Sequence, residues 1–246
     1  MSERTYWKTP GGKVWKLYED MAKQTHLLVA GSTGSGKSVL VNGILYTVLH
    51  DSPSRTELIL LDPKRTELFD YKDLPHVLRY ACEPVEIVSA LNLALDIMDR
   101  RLKYMQANHL KFHDGSDIYL VIDELAYLLI NMKKQTKPLV QRLLTLGRCC
   151  RIHLISCTQV VNVSVIPTEV RCNYTGICGL KTATKMQSRL MVDVPGCESF
   201  PEPRFDHKAY CYYRRGTLNE LYSIPMIPQE DIDRICKYWT SSECIA

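Results

Sequence analysis

Hydrophobic positions run along this chain in two alternating rhythms. Short, nearly continuous apolar runs occur at His26–Ala30, Leu58–Asp62, Ile118–Asp123, Arg151–Cys157 and Tyr174–Leu180. Between them lie longer stretches whose apolar residues recur every three or four positions. The runs read as strands buried on both faces and the stretches as amphipathic helices. Lys37–His50 predicts a helix with Leu40, Ile44 and Leu45 facing inward. Val85–Met105 predicts a longer one, with Ile87, Leu91, Leu95, Met98 and Leu102 on one stripe and Pro84 at its first turn. Lys137–Arg148, with Gly147 near its end, Thr182–Val192 and Gln229–Trp239 complete the expected helices, and Pro195–Pro203 reads as a loop. Ala209–Tyr213 and Leu218–Ile224 predict a hairpin turning about Arg215–Gly216. The alternation predicts an α/β fold: a mainly parallel central sheet flanked by helices, with a C-terminal antiparallel hairpin.

Composition narrows the class. The chain has 246 residues, which suits one large α/β domain. We divide it into an N-terminal extension (1–25), a core (26–195) and a C-terminal hairpin and tail (196–246). With 46% hydrophobic and 24% charged residues it is an ordinary globular chain, and a formal charge of +4 permits a nucleic-acid partner without demanding one. The N-terminus has no apolar signal core, and the most apolar segment is broken by Asp123 and Glu124. A cytoplasmic protein without direct membrane insertion is expected. The 10 cysteines show no zinc spacing. Cys149, Cys157, Cys172 and Cys178 lie in or beside apolar runs and are expected to be reduced core residues.

Candidate chemistry sits at the ends of the predicted strands. Gly31-Ser32-Thr33-Gly34-Ser35-Gly36-Lys37-Ser38-Val39 fits the phosphate-loop pattern G-x-x-x-x-G-K-[ST], between a predicted strand and a predicted helix. Glycines let backbone N–H groups approach phosphates, and the helix points its positive end at them. Lys37 would reach the β- and γ-phosphates of ATP, and Ser38 would bind Mg²⁺. About 80 residues on, Val121-Ile122-Asp123-Glu124 ends the third strand in two acids. Asp123 would hold Mg²⁺ opposite Ser38, and Glu124 would deprotonate the attacking water. Gln159, after the fourth strand, falls where a polar side chain can touch the γ-phosphate or its water.

These residues sit in longer matching segments: HLLVAGSTGSGKSVLVNGIL, LILLDPKRTEL with LPHV, LVIDELAYLL and GRCCRIHLISCTQ. Over roughly residues 26–195 the chain resembles the motor domain of the FtsK/SpoIIIE family of DNA translocases. The resemblance implies a RecA-like P-loop NTPase core that forms a hexameric ring and pumps double-stranded DNA with ATP. It places Lys37, Ser38, Asp123, Glu124 and Gln159 in the nucleotide site. Arg189 falls on the family's S-K-x-D-S-R-T-I-L-D-like segment and would be an arginine finger for a neighbouring subunit, with Arg148 of the GR segment as second candidate. Against the family pattern the chain is expected to lack membrane segments, a large N-terminal domain and a winged-helix module. Thr158-Gln159-Val160-Val161 replaces T-Q-R-P, and Pro201-Glu202-Pro203-Arg204-Phe205 replaces G-R-G-D-M.

These departures suit a stripped-down motor of a plasmid, integrative element or phage, working with a relaxase, replication or membrane-channel partner. A ring translocase would grip DNA phosphates from the loops after the second and fourth strands (62–72 and 160–172). The candidate contacts there are Lys64, Arg65, Lys72 and Arg171. A protein-secretion ATPase and an ATP-binding assembly protein are the alternatives.

Overall fold

A computed structural model of the chain describes residues 7–8, 14–15, 26–160, 162, 164–203 and 208–241. Most of the expected N-terminal extension, together with Val161, Arg204 and Phe205, lies outside the described residues.

Ten strands form one sheet among the described residues: β1 (Trp7–Lys8), β2 (Val14–Trp15), β3 (Leu27–Ala30), β4 (Thr56–Leu61), β5 (Val77–Ala81), β6 (Asp117–Ile122), β7 (Ile152–Thr158), β8 (Gly176–Gly179), β9 (Lys208–Arg215) and β10 (Leu218–Pro225). Their order across the sheet is β2-β1-β10-β9-β8-β3-β7-β6-β4-β5. From β8 to β5 every pairing is parallel, and from β8 to β2 every pairing is antiparallel. The hairpin β9–β10 turns where expected, with Arg215 paired to Leu218 and Gly216 at φ +59° supplying the left-handed step.

The parallel strands β3, β6 and β7 are buried throughout, because both faces are covered. Alternate residues therefore serve two cores. Leu27 and Val29 pack with α1 (Lys37–Asp51), whereas Leu28 and Ala30 pack with the opposite layer, which includes α2 (Pro84–Ala107). The helix α2 begins as its sequence predicts: Pro84 opens it, and Glu83 and Glu86 form a reciprocal capping box.

The elements differ from the sequence reading at three places. The strand β5 was not expected; it is a sheet edge, and Leu78 and Arg79 are exposed, so no continuous apolar run marks it. Asp123 and Glu124, just after β6, lead directly into an unexpected helix, α3 (Leu125–Asn131), and α4 (Lys133–Leu146) starts four residues earlier than the Lys137–Arg148 expectation. Pro138 lies inside α4, where its missing N–H removes one backbone hydrogen bond of the helix. The remaining helices are α5 (Thr168–Arg171), α6 (Lys185–Val192) and α7 (Gln229–Thr240). Cys157 and Cys178 are buried core thiols as expected, but Cys172 is exposed just after α5; no cysteine among the described residues is in a disulfide. Among the described residues no helix is long and apolar enough to cross a membrane.

Candidate nucleotide site

Strand register builds the site. Ala30, the last residue of β3, pairs with Thr158, the last of β7, and Leu61 of β4 pairs with Ile122 of β6. The carboxyl ends of these strands therefore finish close together, and the segments that leave them meet over one edge of the sheet. Backbone bonds fasten these exits. Gly31 N–H donates to Thr158 O (3.2 Å), Ser32 N–H to Lys181 O (2.9 Å), and Asp123 N–H to Leu61 O (3.0 Å).

The phosphate loop runs from β3 into α1. Gly34 (φ +73°) and Gly36 (φ +98°) carry its left-handed turns, and Gly36 caps α1. A Cβ on Gly36 would stand 2.6 Å from Ala209 Cβ, so the loop is packed directly against β9. Lys37 Nζ donates to Gly31 O (3.0 Å) and Ser32 O (2.9 Å), lying back across the loop. Burial holds its pKa below the ordinary lysine value. The Ser35 hydroxyl is buried without a hydrogen-bond partner. Thr33 and Gly34 are exposed at the loop tip, and Val39 packs partly into the core behind it.

The two acids stand opposite. Asp123 and Glu124 are 9% and 8% exposed. Glu124 Oε1 accepts the Gln159 N–H (3.2 Å), and the Gln159 side-chain carbonyl accepts the Thr33 hydroxyl (2.9 Å). One chain of contacts thus joins the acid, the end of β7 and the phosphate loop. Asp123 shares a narrow cavity with Ser38, Asn42, Glu67 and Cys157. Burial pushes its carboxyl up to about 6, in spite of the opposing pull of Lys64.

A divalent cation fits this donor set. Among the described residues no group of three or more His, Cys, Asp or Glu side chains could hold a metal by itself. Ser38 and the buried Asp123 carboxylate, whose Oδ2 is ion-paired with Lys64, supply the sparse, hard-oxygen ligation that Mg²⁺ takes when phosphates and water complete its shell.

The predicted DNA cations separate. Lys64 stands in the nucleotide site: its Nζ lies 3.3 Å from Asp123 Oδ2 and 3.3 Å from Glu124 Oε2. Arg171 is half-buried and donates to Met191 O (2.7 Å), holding the last turn of α6. Arg65 is exposed and ion-paired with Glu83, and Lys72 places its ammonium over the Phe69 ring (3.8 Å). Arg189 is exposed on α6, and Arg148 is exposed before β7, at the opposite end of the strands from the phosphate loop. Among the described residues no hydrogen bond or ion pair joins either arginine to Asp123 or Glu124. Glu67 and Asn42 were not singled out from sequence, and Lys64 was assigned to another surface. The Asp62-x-Lys64 spacing after a strand was the available signal; its meaning depends on β4 lying beside β6, which the sequence does not display.

Residues 12–116 match the model of the FtsK/SpoIIIE family. A DNA translocase FtsK from Treponema pallidum (strain Nichols) is 34% identical over an alignment of 196 residues that covers 73% of this chain and 24% of that protein. Its counterpart from Helicobacter pylori (strain J99 / ATCC 700824) is 32% identical over 195 residues, 73% of this chain and 23% of that protein. The chain thus spans about a quarter of the length of these curated relatives. Among solved structures, the cytoplasmic domain of the Thermomonospora curvata type VII secretion ATPase EccC aligns with a TM-score of 0.78 at 20% identity, over 95% of this chain and 30% of that one. The pCW3 conjugation coupling protein TcpA, in its monomer form with ATPgS, aligns with a TM-score of 0.77 at 20% identity, over 96% of this chain and 71% of that one. These two likenesses concern the fold. Together with the sequence matches they show that the chain belongs to the FtsK/SpoIIIE family and is built on its RecA-like phosphate-loop ATPase core.

Proposed function

We propose that this chain hydrolyses ATP to translocate double-stranded DNA, working as a ring, in the transfer or replication of a plasmid, integrative element or phage. The observation that carries the reading is the continuous contact from Thr33 through Gln159 to Glu124. It ties the phosphate loop to the base and to the end of β7, from which the loop toward α5 departs, so a change at the γ-phosphate would be felt outside the site.

Each residue then has a role its position supports. Glycine-loop N–H groups and Lys37 bind the phosphates. Ser38 and Asp123 would hold Mg²⁺, which would supply charge neutralisation at the β- and γ-oxygens. Glu124, fixed through one oxygen by Gln159 N–H, takes the proton of the attacking water. Arg189, unengaged in its own site, reaches the neighbouring subunit's ATP and stabilises the transition state there. Of the four cations first considered for DNA, Arg65 and Lys72 remain for phosphate contacts. Lys64 and Arg171 are committed to the nucleotide site and to the end of α6.

The relatives named DNA translocase FtsK favour DNA as the substrate. The likeness to a secretion ATPase keeps protein export as the second reading. ATP turnover measured with and without linear duplex DNA separates them. Stimulation by duplexes of unrelated sequence is expected; no stimulation, and no duplex binding at low salt, would turn the assignment to export.

A further inference from the structure

Lys64 is an unusual neighbour for the two acids of a Mg²⁺ site. Its ammonium is equidistant from Asp123 Oδ2 and Glu124 Oε2, at 3.3 Å from each. The loop that presents it is built for the purpose. Asp62, fully buried at the exit of β4, accepts the Leu68 N–H on Oδ2 (3.1 Å) and the Arg65 N–H on its carbonyl (3.0 Å), closing a tight turn around Lys64. Arg65, next in the chain, is in the left-handed region at φ +60°, a conformation non-glycine residues adopt at a cost. On the outer side of the same turn the Arg65 guanidinium pairs with Glu83, at the start of α2. One short segment therefore has its inner end on the nucleotide-site acids and its outer end on the molecular surface.

A cation bound to Asp123 and the Lys64 ammonium are like charges competing for the same buried oxygen. Both cannot be held there at full strength. We propose that Lys64 is a latch: its ammonium competes with the divalent cation for Asp123 and ties down the second oxygen of Glu124, so that loading of metal-nucleotide and release of the 62–72 loop are one event. Lys64 is a positioning residue, acting through Glu124 and Asp123. The latch would also give the exposed Arg65 and Lys72 a route by which the nucleotide state changes their presentation to DNA. This inference rests on the nucleotide-site reading of Ser38 and Asp123, and is independent of whether the cargo is DNA.

The test is Mn²⁺ binding, followed by electron paramagnetic resonance without nucleotide, on the wild-type chain and on Lys64→Met, Lys64→Arg and Asp123→Asn. Lys64→Met keeps the aliphatic volume and removes the charge. It is expected to bind Mn²⁺ roughly tenfold more tightly than wild type, with Lys64→Arg restoring weak binding. Thermal unfolding supplies a second readout. Lys64→Met should melt lower than wild type in chelator, because two buried acids lose their counter-charge, and should gain more from added Mn²⁺. Equal Mn²⁺ affinity in wild type and Lys64→Met would overturn the latch. So would an unchanged metal affinity accompanied by a shallower salt dependence of DNA binding, which would return Lys64 to the DNA surface. If Asp123→Asn binds Mn²⁺ as wild type does, the metal site itself is misplaced, and the nucleotide-site reading fails before the latch is reached.

Discussion

In the proposed mechanism Lys37 and Glu124 divide the chemistry of the site between charge and proton transfer. Lys37, half-desolvated against the loop carbonyls, would serve the phosphates; Glu124, bonded by Gln159 N–H and Lys64, would serve the water. Lys37→Ala should abolish nucleotide binding, whereas Glu124→Gln should bind ATP and lose about 10²–10⁴-fold in turnover. Filter binding and single-turnover hydrolysis check the pair; parent-rate hydrolysis by Glu124→Gln would require another base. At the other end of β3, His26 is buried between strands, with Nδ1 accepting the Leu154 N–H (3.1 Å). Burial, reinforced by His153, pushes its pKa down to about 3. A histidine lowered in the folded state protonates first in the unfolded chain. Its stabilising contribution is therefore complete above pH 6.5 and is lost as the pH falls toward 3. Denaturant titrations should show stability dropping through this window by up to about 1.4 kcal/mol per pH unit from this group. A His26→Gln variant should show a correspondingly shallower slope.

Among the elements, the hairpin β9–β10 does more than extend the sheet. Ala209 of β9 lies against Gly36, so the hairpin forms one wall of the phosphate loop. Gly36→Ala combines a positive φ with a contact of 2.6 Å to Ala209 Cβ and one of 2.9 Å to Pro203. It should cost about 1–3 kcal/mol of stability and disturb nucleotide affinity together, measurable by thermal shift with and without nucleotide. The helix α6 carries Arg189 between two fixed ends. Thr184 accepts the Gln187 N–H at its start (3.2 Å), and Arg171 binds Met191 O at its finish. Arg171→Ala should therefore loosen α6 and impair the finger without changing the salt dependence of DNA binding. A shallower slope in that variant would show that Arg171 touches phosphates after all.

At the scale of the whole molecule, Arg189 is exposed while Glu124 is buried, and no described contact joins the two within one chain. The proposed ring, with a composite site between subunits, would account for both. Arg189→Ala protein and Glu124→Gln protein should each be inactive alone, and mixing them should restore partial turnover, because a site can then pair an intact Glu124 with an intact Arg189. If Arg189→Ala alone retains full stimulated turnover, the finger role passes to Arg148. Binding to unrelated duplexes should weaken alike with salt, with a log–log slope of about −0.9 per phosphate neutralised.

Much of this protein was legible along its sequence because the relevant physics is local. A glycine-rich turn between an apolar run and a helical pattern can only be a strand–loop–helix unit, and His26–Ser38 proved to be one. Doubly buried strands announce themselves as unbroken apolar runs, so β3, β4, β6, β7 and β8 were all readable, while β5, at the sheet edge with one side exposed, was not. The hairpin was readable from its turn. What the sequence does not contain is strand order. Nothing in Leu58–Lys64 says that β4 lies beside β6, yet that adjacency carries Lys64 onto Asp123 and Glu124. Likewise Arg171 reads as a loop cation until α6 folds back and offers it a carbonyl. Local propensity and periodicity determined the elements; long-range pairing, which brings together residues 60 positions apart such as Lys64 and Glu124, decided which groups each cation touches.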